Sequence, residues 1–488
     1  MEAAISALAG ELVSRFISFL INKYQSSLCH AQLEEEKVAE TLQHLLMRVA
    51  TVVEEADARY ITNTRMMMQL KMLSEAMYGG HRMLDMLSYQ AVQKSVGFDE
   101  VSSNDPSSNR FYLAKRSRST TDKVTRIESR GALEILGIAV DNMAEFVVLL
   151  SGCEHMSRRP YDVYLYTDNF MFSRHTEKQK ILRFLLQHND PPCYPAPAVL
   201  PIIGGSAIGK KTLVAHACGD ERVRSCFSSV LHLKGDGLLK ILDHGSTMEG
   251  MRMLVVIEFA FDIGDDDWKK FHSVFIGMDR RCKIIIISRL QSLARFGSVK
   301  PIFLSVLSYD ELRYLFKTLA FGSIDPAQHP PLVQVADEFA KVLHGTPGAL
   351  VATNTFADVL RRNLNVQYWR CVLEKRKRMV KRNLSIYGGH PSMLIGEGHP
   401  VDITDFALHP LSMTRYTING STKKELPCLT FGELIADPSA RPKQDFVLVS
   451  WESRIPPHNS FAHFVTSHAE DTHEGRALSG RKRRGVSI

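Results

Sequence analysis

The sequence predicts a multidomain chain of α plus α/β class. It expects an N-terminal four-helix bundle, a parallel α/β domain, a small helical subdomain and an irregular C-terminal extension. Three observations predict it. Apolar residues recur at spacings of three and four through about the first 150 positions, the signature of amphipathic helices. Short apolar runs then alternate with helical segments, as in a helix-covered parallel sheet. From about Tyr387 onward the texture turns to Gly, Pro, His and Thr with short strand-like runs. A length of 488 residues is too great for one ordinary core, so two or three domains are expected.

The first predicted helix carries Ile5, Leu8, Leu12, Phe16 and Phe19 on one face. The second carries Val38, Leu42, Leu45, Val49, Val52 and Ala56 in a near-heptad, and the third runs over Arg65–Tyr89, rich in Met and Leu. Ser95–Asp122 lacks periodicity and contains Ser-Ser-Asn-Asp-Pro-Ser-Ser-Asn, a loop composition. A fourth helix aligns Leu136, Val140, Met143, Val147 and Leu150. Four such stripes bury one another most simply as a bundle over residues 1–155. After a helix over Glu177–His188, the linker Tyr194-Pro195-Ala196-Pro197 leads to apolar runs at Ala198–Ile203, Leu254–Ile257 and Lys283–Ile287, all of strand length. These define an α/β domain over 165–320. Ser308–Ala320 and Leu332–Leu343 read as helices, the latter opening a helical subdomain over 321–385. The extension covers 386–488, with Phe446–Trp451 strand-like, and shows no repeat period of 20–29 residues.

Composition sets the broad class. Hydrophobic residues make up 44% and charged residues 23%, an ordinary soluble balance. The net charge of +7 is concentrated in Lys375–Arg382 and Arg481–Arg484. Solvated basic faces account for such runs, and no aromatic stacking platform accompanies them, so nucleic acid is not an expected partner. The eight cysteines form no CxxC pair and no Cys/His array, which points to a reducing compartment. No uninterrupted apolar stretch reaches about 18 residues, and Glu2 and Glu11 interrupt the apolar start. The expected location is cytoplasmic, or nuclear if either basic run is read as an import signal. Membrane contact is expected to be peripheral at most.

The chemistry centres on Gly204-Gly205-Ser206-Ala207-Ile208-Gly209-Lys210-Lys211-Thr212, which follows a predicted strand and opens a predicted helix. The spacing is that of the phosphate loop, so the domain is P-loop NTPase-like. Its glycines let backbone N–H groups surround phosphate oxygens, and the helix N-terminus adds a favourable dipole. Lys210 would reach the β-phosphate. The next residue ordinarily supplies a hydroxyl to Mg²⁺; here it is Lys211, and Thr212 falls one position late. The second strand of such a domain ends in acids that hold the metal and polarise water. Leu254–Phe259 supplies only Glu258, the sole candidate metal ligand, followed by Phe259, which cannot act as a base. Weakened Mg²⁺ binding follows, with Lys211 neutralising phosphate in place of the cation or else facing solvent. Asp265, Asp266 and Asp267 fall in an expected exposed loop. Arg289 ends the third strand, placed either to sense a terminal phosphate or to form a structural ion pair.

In this order the motifs resemble the NB-ARC nucleotide-binding domain of plant disease-resistance proteins, preceded by an Rx-type coiled-coil domain. The resemblance covers about residues 1–380. Met171-Phe172-Ser173-Arg174 resembles the family's adenine-proximal segment, with Ser173 in place of a glycine. Ser288-Arg289 resembles its Thr-Arg sensor, Leu307–Leu312 with Leu315-Phe316 the helix that follows, and Gly345-Thr346-Pro347-Gly348 its Gly-Leu-Pro-Leu motif; Trp369 fits the tryptophan beyond. The resemblance implies a pocket for ADP or ATP bounded by Phe172, Arg174, the loop Gly204–Thr212, Arg289 and Pro347. It implies a nucleotide-dependent regulator or adaptor in defence signalling, acting through its helical domain. The expected partners are other immune receptors or signalling proteins, in a homo- or hetero-oligomer. The altered metal residues imply slow or absent hydrolysis and so not an enzyme; a slow ATPase switch and a helical interaction module that binds no nucleotide stand as alternatives.

The family's acidic patch of type Glu-Asp-Val-Ile-Asp is here His81-Arg82-Met83-Leu84-Asp85. In the family it faces a basic surface on leucine-rich repeats. With no repeat period following, patch and partner are expected to be lost together. No Met-His-Asp motif and no winged-helix segment is found, and Gly388–Ile488, with Pro400–Ile403 and Trp451–Arg454, resembles an extension of some grass relatives.

Overall fold

The computed structural model describes residues 35–57, 59–99, 128–155, 172–187, 197–235, 252–276, 282–416, 426–439, 442, 444–452 and 460–467. The predicted helix bearing Ile5–Phe19, most of the Ser95–Asp122 loop, Met171 and Arg481–Arg484 lie outside these. The chain divides into one unit of residues 1–373 with 452–460 and a second of 374–451 with 461–488.

In the first unit, α1 (Glu35–Asp57), β1 (Arg59–Tyr60), α2 (Thr64–Asp99), α3 (128–141), α4 (Met143–Ser151) and β2 (Glu154–His155) come first. The predicted stripes converge: Leu42, Leu46, Val49, Leu70, Leu73, Leu136, Val140, Phe146 and Leu150 share one core. Gly80 permits the closest approach, since a Cβ there would lie 2.6 Å from Leu136 Cδ1 and 2.8 Å from Leu46 Cδ2. The third helix runs ten residues past its expected end at Tyr89, to Asp99. The fourth breaks into α3 and α4 around Asn142, which has no side-chain cap.

Helix α5 (His175–Leu186) then leads to β3 (Ala198–Gly204), α6 (Lys210–Cys218), α7 (Glu221–Cys226), β4 (Ser229–Lys234), β5 (Met253–Phe259), α8 (Asp265–Ile276), β6 (Lys283–Ser288) and β7 (Ile302–Leu304). The strands form a five-stranded parallel sheet in the order β4-β5-β6-β3-β7. Ile202 pairs with Ile287 on one side and Ile302 on the other, which places the loop after β3 between strands from either direction. Such a crevice at the carboxyl ends of parallel strands is where open α/β sheets bind ligands. Both faces are covered, by one core with Leu182, Leu213 and Val214 and another with Trp268, Phe271 and Leu293. Lys283 extends beneath the sheet to the end of α5. Its ammonium donates to the carbonyls of Phe184, Leu185 (3.2 Å) and Gln187 (2.6 Å), satisfying acceptors that a helix C-terminus leaves open.

The acids Asp265, Asp266 and Asp267 do not form a loop; they are the first turn of α8. Negative side chains are favoured there by the unsatisfied N–H groups of the helix start. They are exposed, and Asp265 with Asp262 clasps Arg295 at 2.9 and 3.0 Å.

Helices α9 (Tyr309–Phe321), α10 (Pro330–Leu343), α11 (Ala349–Arg361) and the start of α12 (Val366–Tyr387), up to Leu373, belong to the first unit. Phe316 stacks on Phe339 through their centre, and Phe356 packs tilted against Phe339. Trp369 is fully buried, its indole N–H donating to Leu360 O at 3.0 Å and Asn363 O at 2.8 Å.

The second unit corrects the expectation of an irregular extension. Beyond the rest of α12 come α13 (Pro391–Glu397), β8 (Val401–Asp402), β9 (Leu411–Arg415), β10 (Cys428–Thr430), α14 (Phe431–Ala436), β11 (Phe446–Glu452) and β12 (Ser460–Ser467). The strands form a mixed sheet in the order β10-β11-β12-β9-β8 over a core that includes Phe406, Phe431, Leu434 and Leu448. Strands β8 and β10, of two and three residues, leave too short a period to read, and most pairing is non-local. The basic run Lys375–Arg382 is partly structural. Arg376 is buried, and Arg378 and Arg382 share Asp405 at 3.4 Å.

Candidate nucleotide-binding site

The loop between β3 and α6 has the backbone its glycines predict. Gly209 takes φ +91° and begins α6 with no side-chain cap, so the first N–H groups of the helix face the loop without a side-chain acceptor. Gly204 has no room for a side chain: a Cβ would stand 2.8 Å from the Leu304 carbonyl oxygen and 2.5 Å from Ile208 Cδ1. Ala207 is held at φ +54°, a left-handed conformation that costs a residue with a Cβ roughly 1–2 kcal/mol. Ser206 stays exposed.

Lys210 turns back over the loop, donating to the carbonyls of Gly205 and, at 2.7 Å, Gly204. Partial burial lowers its pKa to about 8, helped by the neighbouring charges of Arg289 and Lys211 and opposed by Glu258. Arg289 thus stands at the same end of the sheet as Lys210, at the exposed end of β6. Just before it, Ser288 Oγ donates to Phe259 O at 3.0 Å.

Lys211 does not point idly to solvent. Its ammonium lies 2.6 Å from Glu258 Oε2. The one acid of β5 and the residue at the usual hydroxyl position therefore contact one another, as a bridging cation would join them. Both side chains are about two-fifths exposed, so the pair is a positional feature more than a source of stability. Phe259 turns the other way into the core with Trp268 and Phe271. Its ring lies where a Cβ on Gly235 would be, 2.5 Å from Cδ1. Thr212 follows one position farther along α6. Among the described residues no group of three or more His, Cys, Asp or Glu side chains is arranged to hold a metal.

Arg174 is 7% exposed and caps α5. Its guanidinium donates to Ser305 O at 2.6 Å, and burial draws its pKa down, with Glu177 and Glu311 opposing. Pro347 is exposed in a turn between Gly345 and Gly348, at φ +74° and +72°. The turn feeds α11, whose Leu350 side chain comes within 3.7 Å of a Cβ built on Gly209. The helical subdomain therefore reaches the phosphate loop through Leu350, a residue with no motif to mark it.

Phe172 packs elsewhere. Its ring lies 5.2 Å from Tyr78 of α2 and stacks on Tyr314 of α9 at 6.0 Å, in the aromatic seam between helical domain and α9. Tyr314 also meets Tyr78 at 5.2 Å and His81 at 4.8 Å. The His81–Asp85 stretch has partners in this seam, contrary to the expectation that patch and partner are lost together. Asp85 Oδ2 accepts from Arg313 Nη1 at 2.8 Å and Lys317 Nζ at 2.7 Å. Arg313 also reaches Asp337 at 2.5 Å. Arg82 Nε stands 2.7 Å from Asp310 Oδ1, an ion pair with angles outside those of a hydrogen bond. Position 82 is basic opposite an acid and position 85 is acidic opposite two bases, all within one chain. Burial pushes the His81 imidazole down to about 4, with Lys317 and Arg313 adding to the shift and Asp85 opposing it.

No family model matches the chain. It is similar to the RPP13-like protein 1 of Arabidopsis thaliana, a protein named for disease resistance, at 23% identity over 405 residues, 76% of this chain and 37% of that protein. It is similar to RGA4 of Solanum bulbocastanum, also named for disease resistance, at 24% over 68% of this chain and 35% of that protein. It is similar as well to disease resistance protein RGA2 of the same species, at 24% over 40% of this chain and 22% of that protein. The chain spans a little over a third of the length of the first two relatives. Among the described residues no helix is long and apolar enough to cross a membrane. The chain thus carries a phosphate-loop motif on a five-stranded parallel sheet and is similar to disease-resistance proteins of two plant species.

Proposed function

We propose that the chain is a nucleotide-binding regulator or adaptor in plant defence that holds ADP or ATP with little or no hydrolysis. It would signal through its N-terminal helical domain, which would engage other immune receptors or signalling proteins. The observation that carries this reading is the Lys211–Glu258 contact beside an intact phosphate loop. The ammonium of Lys211 brings a positive charge to the phosphate side of α6, and Glu258 is engaged by it. Hydrolysis also needs a residue to orient or deprotonate water, and Phe259 is packed in the core. Residues suited to phosphate are present, whereas those suited to Mg²⁺ are reduced to Glu258. Lys210, Lys211 and the N–H groups of α6 would hold the phosphates; Arg289 would face the terminal one; Arg174 and Pro347 would border the base. A nucleotide held between the sheet and α11 can bias a conformational equilibrium without chemistry.

The test is nucleotide retention and phosphate release by the purified full chain, with and without Mg²⁺, beside Lys210→Ala. ADP binding that is indifferent to Mg²⁺ and lost in Lys210→Ala supports the reading. Steady phosphate release would favour a slow ATPase switch. Absence of binding in the wild type would leave a helical interaction module.

A further inference from the structure

Ser173 stands where the resembling family carries glycine, and its backbone takes φ +56°. A serine enters that region against the steric cost of its Cβ, so its surroundings must hold it there. The hydroxyl donates to Glu311 Oε1. The other oxygen of the same carboxylate accepts from Ser308 N at 2.6 Å, closing the capping box of α9. One carboxylate thus joins the segment before α5 to the first turn of α9. The adjacent Asp310 pairs with Arg82 of the helical domain.

The neighbours of Ser173 point to two different parts of the unit. Phe172 enters the aromatic seam with Tyr78 and Tyr314. Arg174 is buried against Ser305, just after β7. Relaxation of Ser173 to negative φ would reorient the peptides on both sides together, so these contacts share one backbone state. We propose that Ser173 is a positioning residue that couples nucleotide occupancy to docking of the helical domain on α9. The proposal rests on the nucleotide reading above and adds a chain-specific residue to it. A glycine would keep the left-handed backbone without effort but would hold neither Glu311 nor a single conformation. An asparagine tolerates the same φ and retains a donor.

The experiment uses the full chain as wild type, Ser173→Gly, Ser173→Asn, Arg82→Glu and Ser173→Gly/Arg82→Glu. Arg82→Glu sets two acids against each other at Asp310 and so weakens docking of the helical domain. ADP affinity is measured by calorimetry, and hydrogen exchange is followed over Tyr78–Leu87 with and without ADP. Arg82→Glu should weaken ADP binding about fivefold or more, and by reciprocity ADP should slow exchange over Tyr78–Leu87. In Ser173→Gly both effects should shrink to less than about twofold, and Ser173→Asn should restore them. Equal effects with and without the Ser173 hydroxyl overturn the coupling. If the wild type does not bind ADP, the nucleotide reading fails by itself. Exchange in the ligand-free protein then decides the clamp: faster exchange over Tyr78–Leu87 in Ser173→Gly supports it, and unchanged exchange overturns it.

Discussion

At residue scale the site turns on two consecutive lysines with different tasks. Lys210 is folded onto the carbonyls of Gly204 and Gly205 and would exchange them for phosphate oxygens. Its pKa of about 8 sets a pH dependence. The ammonium predominates below pH 8 and is lost above it, so ADP affinity should be nearly constant at pH 6–7 and weaken as pH rises. Between pH 7 and 9 a fall of about fivefold to tenfold is expected by calorimetry if only the charged form binds; Lys210→Arg should flatten that profile. Lys211 replaces a hydroxyl that would bind metal and engages Glu258. Lys211→Thr restores the hydroxyl and frees the carboxylate. ATP affinity should then become Mg²⁺-dependent, by about tenfold, where the wild type is expected to be insensitive. Equal titrations with Mg²⁺ and with EDTA in Lys211→Thr would defeat this account. Both lysines and Glu258 were legible as a phosphate loop with a displaced metal partner, because their chemistry follows from position in a motif. That Lys211 reaches Glu258 was not, since the two lie on different elements and their distance is set by the sheet.

At element scale the packing of α2 on α9 is the informative contact. Arg313 and Lys317 are 5% and 10% exposed at their side chains, and both reach Asp85. A charge so enclosed is costly once its partner is removed. Asp85→Ala should therefore lose about 3 kcal/mol in denaturant unfolding, and Asp85→Asn less, since an amide still accepts a hydrogen bond. His81 gives the seam an acid sensitivity. Its pKa is depressed from 6.5 to about 4 in the folded chain, so the unfolded state binds more protons between those values. The contribution of His81 is complete above pH 6.5 and is lost as pH falls toward 4. His81→Phe should reduce the slope of stability between pH 7 and 5. Asp337, also depressed, acts below its ordinary 3.8 and leaves this window clear. The helices were legible from their stripes, whereas the capping box of Ser308 and Glu311 emerged only in the structure. Their pairing was not, because Arg82 and Asp310 are 228 positions apart and nothing in either segment marks the other.

At the scale of the whole molecule, the first unit brings the sheet and, through Leu350, the helical subdomain to the phosphate loop, and it packs the helical domain on α9. A ligand that binds only this folded arrangement stabilises it by mass action. ADP at one hundred times its Kd should stabilise the full chain by about 2.7 kcal/mol. In a thermal melt the shift should be the same with and without Mg²⁺ and absent in Lys210→Ala. A shift that requires Mg²⁺ would mean that Glu258 still serves a metal.

The sequence by itself determined what depends on period and on motif position. It specified the helical stripes from Val38 to Leu150, the strands at Ala198, Leu254 and Lys283, and the loop Gly204–Lys210, because neighbours along the chain supply each signal. It also marked Lys211 and Phe259 as departures, and the family resemblance marked Ser173. Only the tertiary structure decided what those departures do. It directed Lys211 to Glu258, Phe259 into the core and Ser173 to Glu311, and it placed Asp85 among the basic residues of α9. It also assembled the short strands from Val401 onward into a sheet. These outcomes depend on distances between segments far apart in the chain. Packing sets such distances, and no local pattern encodes them.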